Sequence, residues 1–202
     1  MRRALLAIAI LSSLVACKQR SSEPAKAESP TLASKPVEAD SPAVGPATIN
    51  ALVPAKLADK LTFATRELTD QFKFTFSLAA PADWVQAEGF ATVHPPGEEA
   101  FGSALRISKT CAGVCTPKDW AVVTEKEEFA SMRSSKLLED KLSATSHLVI
   151  AEANEVTVIK YAWWKPDASR YAICSATLKA PYREAAPAFA KACQAVASTG
   201  RE

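Results

Sequence analysis

The side chains with the widest chemical range in this chain are five cysteines, Cys17, Cys111, Cys115, Cys174 and Cys193, and two histidines, His94 and His147. A thiolate can attack an electrophile, bind a soft metal, carry a lipid or close a disulfide, and its surroundings decide which. Cys17 stands apart from the others, directly after the apolar run of residues 4–15 and Ala16, and directly before Lys18-Gln19-Arg20. The remaining four cysteines form an even set, which in an exported domain reads as disulfides with three connectivities. Cys174 shares a strand face with Ala172, Ala176 and Leu178, while Cys193 lies on the apolar stripe of a helix that must cover that sheet. The expected bridges are therefore Cys174–Cys193 and, by elimination, Cys111–Cys115. Closing a ~20-residue loop contributes ~3 kcal/mol.

The setting of Cys17 has the parts of a secretory signal: basic Arg2-Arg3, a twelve-residue apolar run at 4–15 and small Ala16 at the cut. That run falls short of the ~20 residues a membrane-spanning helix needs. Leu14, Ala16 and Cys17 resemble the lipobox of bacterial lipoproteins. The resemblance implies a diacylglyceryl group on the Cys17 sulfur, cleavage before it and acylation of the new amine. Two or three acyl chains anchor stably, since each buried CH₂ contributes ~0.8 kcal/mol. In the enteric lipoproteins it resembles, Asp after the cysteine retains the protein in the inner membrane. Lys18 in that place implies the periplasmic face of the outer membrane. The membrane, through the acyl chains, and an envelope protein are the expected partners.

Cys111-Ala112-Gly113-Val114-Cys115-Thr116-Pro117 sits between an expected strand and an expected helix. This arrangement is similar to the copper site of Sco-type thioredoxin-fold chaperones, and implies an alternative metal set of Cys111, Cys115 and His147. Two departures count against it. His147 follows Cys115 by only 32 residues, and consecutive strands occupy 70–110 where that family has a βαβ unit. Other chemistry is missing from the sequence: no GxSxG surrounds a serine, and no two glycines lie closer than Gly97 and Gly102. Glu98-Glu99 and Glu127-Glu128 read as solvated charge pairs. No catalytic residues and no cofactor beyond the covalent lipid at Cys17 are expected.

Composition divides the chain into three parts. Residues 1–16 are the expected signal. Residues 17–58 carry the lipidated terminus and a linker: 18–58 hold six of the 13 prolines and none of the fifteen aromatics. Such a stretch cannot bury enough apolar surface to offset its ordering entropy, and is expected to be a disordered tether. Residues 59–202 form the domain, which holds 17 basic and 18 acidic residues. A net charge near −1 gives no electrostatic reason to bind nucleic acid or an anionic membrane.

The cysteines must be positioned by the elements of that domain. Phe72, Phe74, Phe76 and Leu78 alternate with polar residues and predict a half-buried strand, followed by strands near 89–93 and 104–109. Thr116-Pro117-Lys118-Asp119 is a helix start, and the helix is expected to run to about 138 with Trp120, Val123, Phe129 and Met132 inward. Strands at 146–151, 155–164 and 170–179 are joined by turns too short for anything but antiparallel pairing. A last helix spans about 183–198, with Pro187 tolerated in its first turn. The expectation is an α+β fold, a largely antiparallel sheet of about six strands flanked by two helices. The segment Phe76-Ser77-Leu78-Ala79-Ala80-Pro81-Ala82-Asp83-Trp84 resembles the opening strand of PsbP-like domains, and the resemblance covers most of 70–198. It implies a non-enzymatic assembly or binding module and carries no ligand residues across. Trp163 and Trp164 point to opposite sheet faces, so each needs its own cover. Either, if left exposed, becomes a candidate binding surface.

Overall fold

The computed structural model describes residues 44–98, 102–111, 115 and 118–198; the expected signal, Cys17 and most of the expected linker lie outside them. In chain order the elements are α1 (Pro46–Asn50), β1 (Phe63–Thr69), β2 (Thr75–Pro81), β3 (Val85–Gln86), β4 (Thr92–His94), β5 (Ala104–Thr110) and α2 (Trp120–Thr124). There follow β6 (Lys136–Leu142), β7 (Ser146–Ala153), β8 (Val156–Trp163), β9 (Tyr171–Leu178), α3 (Ala186–Gln194) and β10 (Ala197–Ser198). The fold is α+β, with one sheet ordered β3-β4-β5-β9-β8-β7-β6 and a smaller one ordered β1-β2-β10. Every pairing in both is antiparallel.

The central strands of the large sheet are apolar on both faces, so two separate cores form. On one face Leu105, Ile107, Ile150, Ile159, Cys174 and Leu178 join Phe63, Phe76 and Trp84 of the small-sheet side and Phe189 of α3. Phe189 meets Phe63 edge-on at 5.1 Å and Trp84 at 5.3 Å, both within the range of favourable aromatic pairs. On the other face Val149, Ala151, Ala162, Trp164, Tyr171 and Ile173 lie under Trp120, Phe129 and Met132. Pro187 falls in the first turn of α3, where its missing N–H costs no helical bond.

Several expectations are corrected. The linker does not extend to residue 58: Ile49 and Leu57 are buried in the first core. The Asn50 side chain also exchanges two hydrogen bonds with the Phe63 backbone, at 3.0 and 2.7 Å. Short polar segments can dock this way when a few apolar residues find a pocket, which composition averaging conceals. The alternation at 72–78 is not one strand. The Asp70 carboxylate accepts from the Phe72 and Phe74 N–H groups at 2.9 and 3.0 Å, bending the chain into a turn with Lys73 at φ 67°. The expected helix to 138 is instead α2, a π-helical turn at Glu125–Phe129, a 3-10 turn at Ala130–Met132 and then β6. Thr124 donates back to the Trp120 carbonyl at 2.7 Å, a competition that disfavours continuing the helix. β6 forms because β7, buried from His147 to Ala151, needs a partner along its edge. The final helix is also shorter, a 3-10 turn at Tyr182–Ala185 preceding α3 and β10 following it. The expected antiparallel sheet of about six strands has seven among the described residues, and a second sheet of three strands accompanies it.

β6 is one edge strand of the large sheet, β3 being the other. It carries exposed Leu137, Leu138 and Leu142, and its ladder to β7 slips a register between Leu137 and Glu139. A bulge and the charges of Lys136, Glu139, Asp140 and Lys141 are the usual guards against edge-to-edge association.

Both expected bridges are formed, Cys174–Cys193 with sulfurs 2.01 Å apart and Cys111–Cys115 with sulfurs 2.00 Å apart. The first staples β9 to α3 across the first core, over a separation of 19 residues; the second spans only 4. Loop-closure entropy then predicts unequal effects. Replacing Cys174 and Cys193 by Ala lowers unfolding free energy by about 3 kcal/mol, and replacing Cys111 and Cys115 lowers it by about 2 kcal/mol. Urea denaturation of the two double variants checks this order.

Candidate functional site

Two polar constellations stand out, one open and one closed. The open one is a groove of about 470 Å³ lined by Lys56, Leu57, Lys60, Glu152, Ala180, Pro181, Arg183 and Glu184. The 3-10 turn Ala55–Leu57 forms one wall and the turn Tyr182–Ala185 another, with the cis Ala180–Pro181 bond leading into it. Leu57 and Pro181 supply an apolar floor. Glu184 is bound by Lys56, and Glu152 takes Arg183 at 3.3 Å and Lys136 at 3.2 Å. With both carboxylates engaged, Lys60 has no ion pair among the described residues. Arg183 Nε is buried with no acceptor among the described residues, an arrangement that costs roughly 1–3 kcal/mol. The volume lies within the roughly 300–1,000 Å³ of small-molecule sites.

The closed constellation lies under α2 and the π-helical turn. His147, 2% exposed, donates from Nε2 to Asp140 Oδ1 at 2.7 Å across the β6–β7 hairpin. Its Nδ1 lies 4.0 Å from Glu125 Oε2 and has no hydrogen-bond partner among the described residues. The ring rests on Phe129 with centroids 4.3 Å apart, and Glu125 also binds Arg133. One turn on, Glu128 accepts from the Tyr171 hydroxyl at 2.9 Å. Lys160 Nζ donates to the Glu128 carbonyl at 2.6 Å. The π-helical turn thus aims both Glu125 and Glu128 at the sheet. The void beside this cluster measures only about 10 Å³, no more than a water molecule requires. A site with room for no substrate is a clamp that fixes the helical segment to β6, β7, β8 and β9.

These positions revise the expected ones. Cys17 lies outside the described residues. Cys111 and Cys115 are bonded to each other, and His147 is committed to Asp140, so the alternative metal set is not assembled. Among the described residues no three His, Cys, Asp or Glu side chains cluster as metal ligands would. His94 donates from Nδ1 to the neighbouring Pro95 carbonyl at 3.0 Å. Trp163 and Trp164 divide between the faces as alternation requires. Trp164, 8% exposed, donates to the Ala144 carbonyl at 3.1 Å, and half-buried Trp163 stacks on Tyr161 with centroids 5.6 Å apart. Neither is among the exposed large apolar side chains of the described residues. Glu128, expected to be solvated, is instead half-buried in the clamp. Lys56, Lys60, Arg183, Asp140 and Glu125 carried no local signal, because their grouping depends on long-range pairing of β6, β7 and α3.

Among the described residues no helix is long and apolar enough to cross a membrane. A scan against protein-family models and a search of curated proteins find no match to the chain.

The clamp has a measurable titration. Burial, and then the negative charge of Glu128 accepting its proton, push the Tyr171 hydroxyl well above its ordinary pKa of 10.0. Burial and Glu98 push Tyr182 the same way. The folded state therefore keeps a proton that the unfolded chain loses. Stability from Tyr171 is complete below about pH 10 and falls as pH climbs above it. Tyr171→Phe should flatten this alkaline decline between pH 9.5 and 11.5 in urea unfolding, about the window set by the phenol's reference value. An unchanged slope would remove the clamp from the account.

Proposed function

We propose that this chain is a lipid-anchored, non-catalytic binding or assembly module of the bacterial envelope. The observation that carries the reading is the completeness of cysteine pairing. Cys111 is joined to Cys115 and Cys174 to Cys193, a pairing that supports an oxidising compartment and leaves Cys17 as the one cysteine of the sequence outside the two bridges. An odd cysteine directly after a signal-like run is the attachment point a lipoprotein uses. The resemblance to PsbP-like domains points to a binding module as well. Its Pro81-x-x-Trp84 motif ends β2 and sends Trp84 into the core against Tyr182 and Phe189. The closed His147 and Tyr171 clamp supports a non-catalytic reading, and the Lys60 and Arg183 groove offers a concave surface for a ligand.

The test is the N-terminal peptide. Expressed in a bacterium with lipoprotein processing, the chain should be cut before Cys17 and carry a diacylglyceryl thioether by mass spectrometry. Cys17→Ala should abolish both the modification and partitioning into the detergent phase. A mature chain with a free Cys17 thiol would overturn the anchor.

A further inference from the structure

Phe72 is 71% exposed, an unusual place for a phenylalanine and the largest exposure among the large apolar side chains of the described residues. Its exposure is built, since the Asp70 carboxylate holds the turn from both sides through Phe72 N and Phe74 N. A second loop meets this turn. Gln71 N donates to the Gly89 carbonyl at 3.0 Å, and Gln86 Nε2 donates to the carbonyls of Thr69 and Phe90, both at 3.2 Å. Phe72 and Phe90 each follow a residue of that first bond, so both exposed rings belong to the same joined pair of loops; Phe90 is 46% and Val85 43% exposed. These apolar groups stand among cations. Arg106 lies over the Phe90 ring at 5.8 Å, and Lys109 and Arg170 lie over the half-buried Phe74 ring at 5.0 and 5.6 Å. Lys73 sits exposed between Phe72 and Phe74. Asp70 is spent on the turn, and Glu88 is the other carboxylate of these two loops.

We infer that this tip, built from Phe72, Phe90 and Val85 with Lys73, Arg106, Lys109 and Arg170, docks on an anionic lipid surface. Aromatic side chains on protruding loops enter the headgroup region, and a surrounding set of Lys and Arg favours anionic lipid over zwitterionic. The near-neutral charge of the whole domain is no obstacle, because screening over a Debye length of about 8 Å makes the local set the one the surface sees. A protein partner would also accept exposed rings, but Lys73, Arg106, Lys109 and Arg170 outnumber Asp70, Glu88 and Asp167, the carboxylates of the segments that carry these rings and cations, and Asp70 is held in the turn, which favours a negatively charged headgroup layer. The inference does not rest on the Cys17 anchor.

The experiment uses the full chain carrying Phe72→Trp, the spectrum of the unmodified chain being subtracted to remove the four native tryptophans, Trp84, Trp120, Trp163 and Trp164. With vesicles containing phosphatidylglycerol, the difference emission should shift to the blue and be quenched by brominated acyl chains. With phosphatidylcholine alone it should do neither. Adding Phe90→Asp should abolish the quench, and each of Lys73→Glu and Lys109→Glu should raise the lipid needed about fivefold or more. Repeating the series on the Cys17→Ala chain removes attachment through the N-terminus, so a failed anchor and a failed tip are distinguishable. An emission unchanged by phosphatidylglycerol vesicles, or equal quenching on both lipids, would overturn the proposal. A far-ultraviolet spectrum and Tm matching those of the unmodified chain show that each variant is folded.

Discussion

A sheet that is apolar on both faces cannot leave either to water, and the rest of this structure follows from that condition. β7, β8 and β9 present Ile150, Ile159 and Leu178 to one side and Val149, Ala162 and Ile173 to the other. One cover, made of α3, α1 and the small sheet, is held to β9 by Cys174–Cys193. The other is a short helical segment that is too brief to be stable alone. Its attachment is correspondingly elaborate: buried Trp120 and Phe129, and two glutamates reaching down to His147, Lys160 and Tyr171. The polar clamp is therefore best understood as the fastening of the weaker lid. The absence of free space around His147 agrees with that role.

Much of this was readable in the chain where a single local cause decides structure. The hairpins of β7, β8 and β9, the opposed faces of Trp163 and Trp164, and Pro187 at the start of α3 all follow from periodicity and turn chemistry. So did the disulfide pairing, because one cysteine sat on a strand face and its partner on a helix stripe. What escaped was decided at a distance. β1 has buried Phe63 and Leu68 on an otherwise exposed strand, so its alternation is faint; its place comes from pairing with β2. β6 resembled a helix end until β7 required an edge partner. The groove joins Lys56, Glu152 and Arg183 from segments far apart in sequence, and no spacing rule links them.

Charge tells a similar story. The domain is nearly neutral in sum, yet its charges are sorted. Glu125 and Glu128 are drawn in to fasten the helical segment, while Lys60 at the groove and Lys73 at the aromatic tip are exposed. Composition reports only the sum. A surface responds to its neighbours within about a Debye length, so sorting of this kind can give a neutral domain two basic regions.

The clasp between Asn50 and the Phe63 backbone has a mechanical meaning. Tension arriving from the N-terminal side of the chain enters the fold at α1, and the first bonds to carry it are the pair of hydrogen bonds that Asn50 makes with Phe63. Beyond them lies β1, the outer strand of the small sheet, held along one side by β2. Load is thus delivered to the periphery, where strands can peel one bond at a time. The seven-stranded sheet lies behind this yielding margin, and the covalent staple from β9 to α3 keeps its cover in place when the margin opens.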